Sequence, residues 1–183
     1  MDDSYEMTMD RSATAPSTSA DTSFGAPFRS SVMTVEPAWI DYNGHLNMAY
    51  YNVLFDRCVD EAFLTLGLGP DYVRARNASF FTAEAHLCYL RELHEGAPVY
   101  ATFHLLDYDA KRIHAVQELF HAEEGWRSAT SEVMTLHVDM AAKRVSPWPE
   151  DVMAQLEAMR RAHAKLEVPR EAGRSIGISR KAR

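Results

Sequence analysis

The sequence predicts an α+β domain in which a five-stranded antiparallel sheet wraps around one long central helix, with a further helix added at the C-terminal end. Three observations carry this. Apolar residues recur at helical spacing over residues 47–66, four segments rich in β-branched and aromatic residues follow, and a short extended segment comes before the helix. At 183 residues, 46% of them hydrophobic, the chain can bury the core of one ordinary domain and would be strained to fill two.

Residues 1–27 are dominated by Ser, Thr, Ala, Asp and Met, include Pro16 and Pro27, and keep neither a helical nor a strand period, so a disordered leader is expected there. The domain proper is expected over 28–142. It opens with a strand over 28–35, closed by Glu36-Pro37 because proline holds its predecessor extended. A glycine-containing turn over 41–45 leads into the helix. Tyr50, Leu54, Cys58, Ala62 and Leu66 stand four apart there, with Tyr51, Phe55, Val59 and Phe63 beside them; Gly67 and Gly69-Pro70 end it. Strands are expected near 79–90, 99–107, 113–121 and 127–140, separated by turn-forming runs such as Glu95-Gly96-Ala97-Pro98 and Glu123-Glu124-Gly125. The last alternates cleanly, with Met134, Leu136 and Val138 on one face and Val133, Thr135 and His137 on the other. Short connections between the four predict an antiparallel meander. Pro147-Trp148-Pro149 then breaks the sheet, a second helix is expected over 150–166, and the tail from Glu167 on has little to bury, so 143–183 reads as a C-terminal helix and basic tail. A concave sheet that buries one helix leaves its other face and its edge to be covered, which predicts a homodimer or a dimer of dimers.

Charge and cysteine usage narrow the function. A net charge of −7 and a pI near 5.6 exclude a general nucleic-acid binder, which would carry a basic footprint. The charge is uneven: 10 Lys and Arg face 5 Asp and Glu from Lys143 onward, against 9 and 21 before it, an asymmetry that suits a phosphate-bearing ligand. Cys58 and Cys88 form no CxxC pair and read as reduced core thiols of a cytoplasmic protein. No run is apolar enough for a signal or a membrane span, so no membrane partner is expected.

The chemistry concentrates in Asp41-Tyr42-Asn43-Gly44-His45-Leu46-Asn47, immediately before the long helix. Unpaired backbone N–H groups and the positive end of the helix dipole meet at such a point, which suits a developing oxyanion. Asp41 can act as general base or nucleophile, His45 can donate a hydrogen bond or shuttle a proton, Asn43 can orient a water or polarise a carbonyl, and Gly44 lets a carbonyl approach the backbone. Composition alone would also fit an ordinary turn, with Asn47 as helix N-cap.

That loop, continued by Met48-Ala49-Tyr50-Tyr51 and set in this order of elements, resembles the hotdog-fold acyl thioesterases over about residues 29–140. The resemblance implies a hotdog fold and hydrolysis of an acyl-CoA thioester. In the 4-hydroxybenzoyl-CoA thioesterase branch a catalytic Asp sits on this loop, and Asp41 is its match. The plant-type acyl-carrier thioesterases carry an Asp-x-Asn-x-His-x-Asn run whose spacing Asp41, Asn43, His45 and Asn47 reproduce; Met48 departs from a second Asn often found there. More narrowly, the loop and the tail Gly173-Arg174-Ser175-Ile176-Gly177-Ile178 are similar to the betainyl-CoA thioesterases of carnitine breakdown. The implied mechanism places the thioester over the helix N-terminus, with backbone N–H groups around Gly44 to Leu46 as the oxyanion site. Asp41 either activates water or attacks directly. CoA is then part of the substrate, and neither cofactor nor metal is expected: His104, His114, His121 and His137 fall on strands in structural roles, and His86 and His94 read likewise. A quaternary ammonium acyl group would require aromatic faces, for which Trp39 and Tyr42, placed off the helix, are the candidates. Two other readings stay open: a hotdog hydratase or dehydratase, whose histidine usually falls one residue later, and a binding-only acyl-CoA sensor.

Overall fold

The computed structural model describes residues 24–178; most of the expected leader, and residues 179–183 of the tail, lie outside the described residues. The elements are β1 (Phe28–Arg29), β2 (Met33–Thr34), α1 (Met48–Thr65), α2 (Pro70–Arg76), β3 (Ala78–Tyr89), β4 (Pro98–Tyr108), β5 (Arg112–His121), β6 (Arg127–Asp139), β7 (Arg144–Val145) and α3 (Glu150–His163). The α+β class is borne out, with a sheet curved around α1.

The single strand expected over 28–35 is instead two short pieces, both antiparallel to β4, with Phe28 opposite Phe103 and Met33 opposite Val99. Ser30 explains the break. Its backbone N–H donates to Ala101 O and its Oγ accepts the Ala101 N–H at 3.0 Å, so a side chain stands in for one strand carbonyl. The neighbouring Ser31 N–H turns towards α1 and donates to Glu61.

Helix α1 begins where the sequence places it, because Asn47 Oδ1 accepts the Ala49 N–H at 3.0 Å. Its inner face buries Leu54, Phe55, Cys58, Ala62 and Phe63 against the sheet. Phe63 meets Phe80 of β3 and Phe103 of β4 edge-on, with centroids 4.6 and 5.6 Å away; emptying such a site costs about 3–5 kcal/mol. Burial also pushes the Cys58 thiol up to about 12, which keeps it a thiol. Gly67, at φ +77°, ends the helix as expected. Gly69-Pro70 is more than a stop, however. Pro70 opens α2, a helix the sequence reading missed, and Asn77 closes it in the left-handed region.

The four long strands fall within two residues of their expected bounds, but the meander covers only three of them. The sheet runs β1-β4-β5-β6-β3, with β2 also on β4 and β7 on β6. Because β1 and β2 occupy the outer edge of β4, β3 crosses the sheet and pairs with β6 from Ala78 opposite Asp139 to Tyr89 opposite Ala129. The inward face of β6 is the one carrying Val133, Thr135 and His137. His137 is satisfied there by the Tyr72 hydroxyl at 2.7 Å and by Ser146.

Helix α3 lies along β4, and Val152, Leu156 and Met159 join the common core. The tail packs more than its composition indicates. Arg127 bridges Glu118 and Glu171, and the Gly173 N–H donates to Glu132 at 2.7 Å, leaving Glu171 only 2% exposed. Against burial, the bond from Arg170 and then the charge of Arg127 hold the Glu171 carboxyl below the usual range, and Gly173 and His114 do the same for Glu132. No helix among the described residues is long and apolar enough to cross a membrane.

Candidate active site

The loop from Asp41 to His45 is a tight hairpin closed by its own backbone: Asp41 N–H donates to His45 O at 2.9 Å and Gly44 N–H to Asp41 O at 3.0 Å. Gly44 sits at φ +79°, a conformation in which a side chain is strained, and so fixes the turn. Two further bonds anchor the hairpin to the body: Leu46 N–H donates to Leu93 O, and Asn47 N–H to Trp39 O. His94 Nδ1 lies 3.2 Å from Gly44 O, and its ring stands edge-on to His45 with centroids 5.0 Å apart. His94 is thus a loop residue bracing the hairpin, not a strand histidine.

Asp41 and His45 share one cavity of about 340 Å³ with Leu46, Met48, Tyr51, Tyr89, Leu90, Arg91 and Glu92. It opens between the N-terminus of α1 and the end of β3. The Asp41 carboxylate is partly exposed and accepts the Asn43 N–H at 2.8 Å. The Asn43 amide lies 3.5 Å from the same carboxylate, so Asn43 engages Asp41 and does not line the cavity. Asn47 is the helix cap.

The expected backbone donors divide: the His45 N–H has no partner among the described residues, whereas its neighbours in the stretch are engaged. Gly44 and Leu46 spend their N–H groups on Asp41 and Leu93, and Ala49 spends its own on Asn47. The Tyr50 N–H goes to Asn47 O. Among the described residues the Met48 N–H, at the first turn of α1 and on the cavity wall, has no such partner.

Trp39 and Tyr42 do not meet at this cavity. Trp39 is 6% exposed, stacked on Tyr50 at 5.5 Å with Arg57 over its ring, while Tyr42 projects into solvent at 97% exposure. The aromatic walls are Tyr51 and Tyr89, whose rings meet edge-to-face at 5.0 Å and 75°. Tyr51 is buried, and burial raises its pKa against the opposing hydrogen bonds to Ser128 and Leu93, with Tyr89 and Glu92 adding smaller upward contributions. The Tyr89 hydroxyl donates to Met48 O at 3.3 Å. Nothing in the local spacing links residues 89–92 to 41–48; only the crossing of β3 to the far edge brings them together. Among the described residues no group of three or more His, Cys, Asp or Glu is placed to hold a metal ion.

The family model of the thioesterase-like superfamily matches residues 35–156. A betainyl-CoA thioesterase of Pseudomonas aeruginosa is 40% identical over 144 residues, which cover 79% of this chain and 91% of that protein. An L-carnitine dehydrogenase/betainyl-CoA thioesterase of Rhizobium meliloti is 40% identical over 91% of this chain, which spans only 33% of that longer protein. Among solved structures, a Staphylococcus aureus protein in complex with CoA superposes with a TM-score of 0.78 at 29% identity, covering 84% of this chain and 96% of the other. The expected likeness to the acyl-CoA thioesterases is thereby borne out, and the chain belongs to the thioesterase-like superfamily.

Proposed function

We propose that this chain hydrolyses an acyl-CoA thioester and that its substrate is betainyl-CoA, cleaved to betaine and CoA in carnitine catabolism. The observation that carries the chemistry is the shared cavity of Asp41 and the first turn of α1. The substrate follows the relatives that are 40% identical.

The thioester carbonyl would sit over the start of α1 with its oxygen towards the Met48 N–H, where the helix dipole favours the negative charge that forms on attack. Asp41 either takes a proton from the attacking water or attacks the carbonyl itself to give an anhydride that water then opens. On both routes the C–S bond breaks and CoA leaves as its thiolate. Asn43 orients Asp41, its backbone N–H donating to one oxygen of the side chain at 2.8 Å. His45, braced by His94, is the second polar group at the carbonyl. Leu46 lines the wall, Gly44 sets the turn that carries Asp41 and His45, and Asn47 caps the first turn.

We further propose a homodimer, formed through the outer edge of β3, and a cytoplasmic location consistent with the free thiols of Cys58 and Cys88. β3 is the last strand of the sheet and pairs only with β6 among the described residues.

Free-thiol release from a panel of betainyl-CoA, 4-hydroxybenzoyl-CoA and medium-chain acyl-CoAs tests the reading. Betainyl-CoA should give the highest kcat/KM. A higher value for another thioester would reassign the substrate, and no release from any would remove hydrolysis.

A further inference from the structure

We propose that Tyr51, Tyr89 and Glu92 form the subsite for a quaternary ammonium on the acyl group; the inference rests on betainyl-CoA hydrolysis as the function. The bonding of that acyl group confines the search. One methylene separates its nitrogen from the thioester carbonyl carbon, the same connectivity as backbone N–Cα–C, so the two atoms lie only about 2.5 Å apart. The cation must therefore occupy the cavity in which Asp41 meets the carbonyl.

A trimethylammonium offers no hydrogen-bond donor. It is recognised by aromatic faces and by carboxylates at van der Waals distance. Of the aromatic residues near the loop, Trp39 is enclosed by Tyr50 and Arg57, and Tyr42 points to solvent. Tyr51 and Tyr89 remain, meeting at 75° and so presenting two walls to one corner of the cavity. The Tyr89 hydroxyl is tied to Met48 O, which sets its ring beside the start of α1. Glu92 lines the same cavity and adds a negative charge besides Asp41. The lining cation is Arg91, and its guanidinium is drawn onto the Trp126 ring, 3.9 Å from the centroid, away from this corner.

The neutral analogue 3,3-dimethylbutanoyl-CoA has the same shape as betainyl-CoA, with carbon in place of nitrogen. The ratio of kcat/KM for the two thioesters, read by thiol release, isolates the charge. Relative to the unmodified protein, Glu92→Gln and Tyr89→Leu should each lower that ratio about 5- to 10-fold, a size expected for a partly desolvated cation site. Tyr89→Phe, which keeps the ring but loses its tie to Met48 O, should lower the ratio less than Tyr89→Leu does. Unchanged ratios in both Glu92→Gln and Tyr89→Leu, with hydrolysis intact, would overturn the subsite while leaving the thioesterase reading in place. Failure of the unmodified protein to cleave either thioester would overturn the subsite together with betainyl-CoA as the substrate.

Discussion

Asp41 is the residue on which the chemistry turns, and its surroundings separate a catalytic effect from a structural one. Its side chain is partly exposed and makes only local bonds, to the Asn43 N–H and amide, so an amide in its place can still accept the first through its own oxygen. Asp41→Asn should therefore leave the thermal midpoint within a degree or two while lowering kcat by roughly 10²–10⁴-fold, the usual worth of a general base. Steady-state kinetics beside a melting curve checks this, and near-normal turnover would take Asp41 out of the mechanism. At this scale the sequence was legible where contacts are local. The hairpin, the Asn47 cap and the Gly44 conformation all follow from residues within a few positions of one another. The aromatic walls were not, because Trp39 and Tyr42 are neighbours of the motif in sequence whereas Tyr89 and Glu92 reach it only through the fold.

Between elements, two buried histidines join α3 to the sheet and make the packing sensitive to acid. His163 of α3 takes the Leu105 N–H of β4 on Nδ1 at 3.0 Å and lies 2.8 Å from Gly25 O through Nε2, which fixes it as the neutral tautomer with its proton on Nε2. Its ring stands edge-on to His104, 5.6 Å away. Burial, then His163 and Arg160, holds His104 down to about 4; burial and Arg160 also lower His163, against the bond to Gly25. The unfolded chain protonates these groups near about 6.5, so between that pH and about 4 it binds protons the folded chain refuses. Stability is then complete above about pH 6.5 and declines as the pH falls towards 4. Urea midpoints at about pH 7.5 and pH 5 should show the loss, and His104→Gln should flatten it; equal midpoints in the unsubstituted protein would rule the mechanism out. The lowered carboxyls of Glu132 and Glu171 lose their contribution only at lower pH, as their unfolded-state groups protonate. The elements themselves were legible from periodicity, the long helix and long strands above all. What escaped depends on long-range pairing: the order of β3 in the sheet, and the two-piece first strand held by Ser30. Helix α2 escaped for another reason, since Gly69-Pro70 signals the end of one helix and the start of another with the same residues.

Over the whole molecule, the unfinished feature is the outer edge of β3. The strand is 12 residues long, Thr82 to Ala85 are exposed, and Phe81 is 48% exposed. A bulge at Ala83 interrupts the ladder, leaving 84–89 as the regular run that a second copy could extend. Such an edge is seldom left open, because its unpaired N–H and C=O groups template further pairing. A symmetric pair about a two-fold axis would set β3 antiparallel to itself, and an axis near the centre of the whole 12-residue strand brings Ala85 close to its own image. A charge placed there meets its own image, and like charges directly across a ladder are destabilising. Ala85→Asp should accordingly shift the protein from twice its 20.7 kDa chain mass towards the monomer in sedimentation velocity at micromolar concentration, with the far-ultraviolet circular dichroism unchanged. A monomeric unsubstituted protein would remove the dimer, and a variant that keeps the double mass would move the interface away from β3.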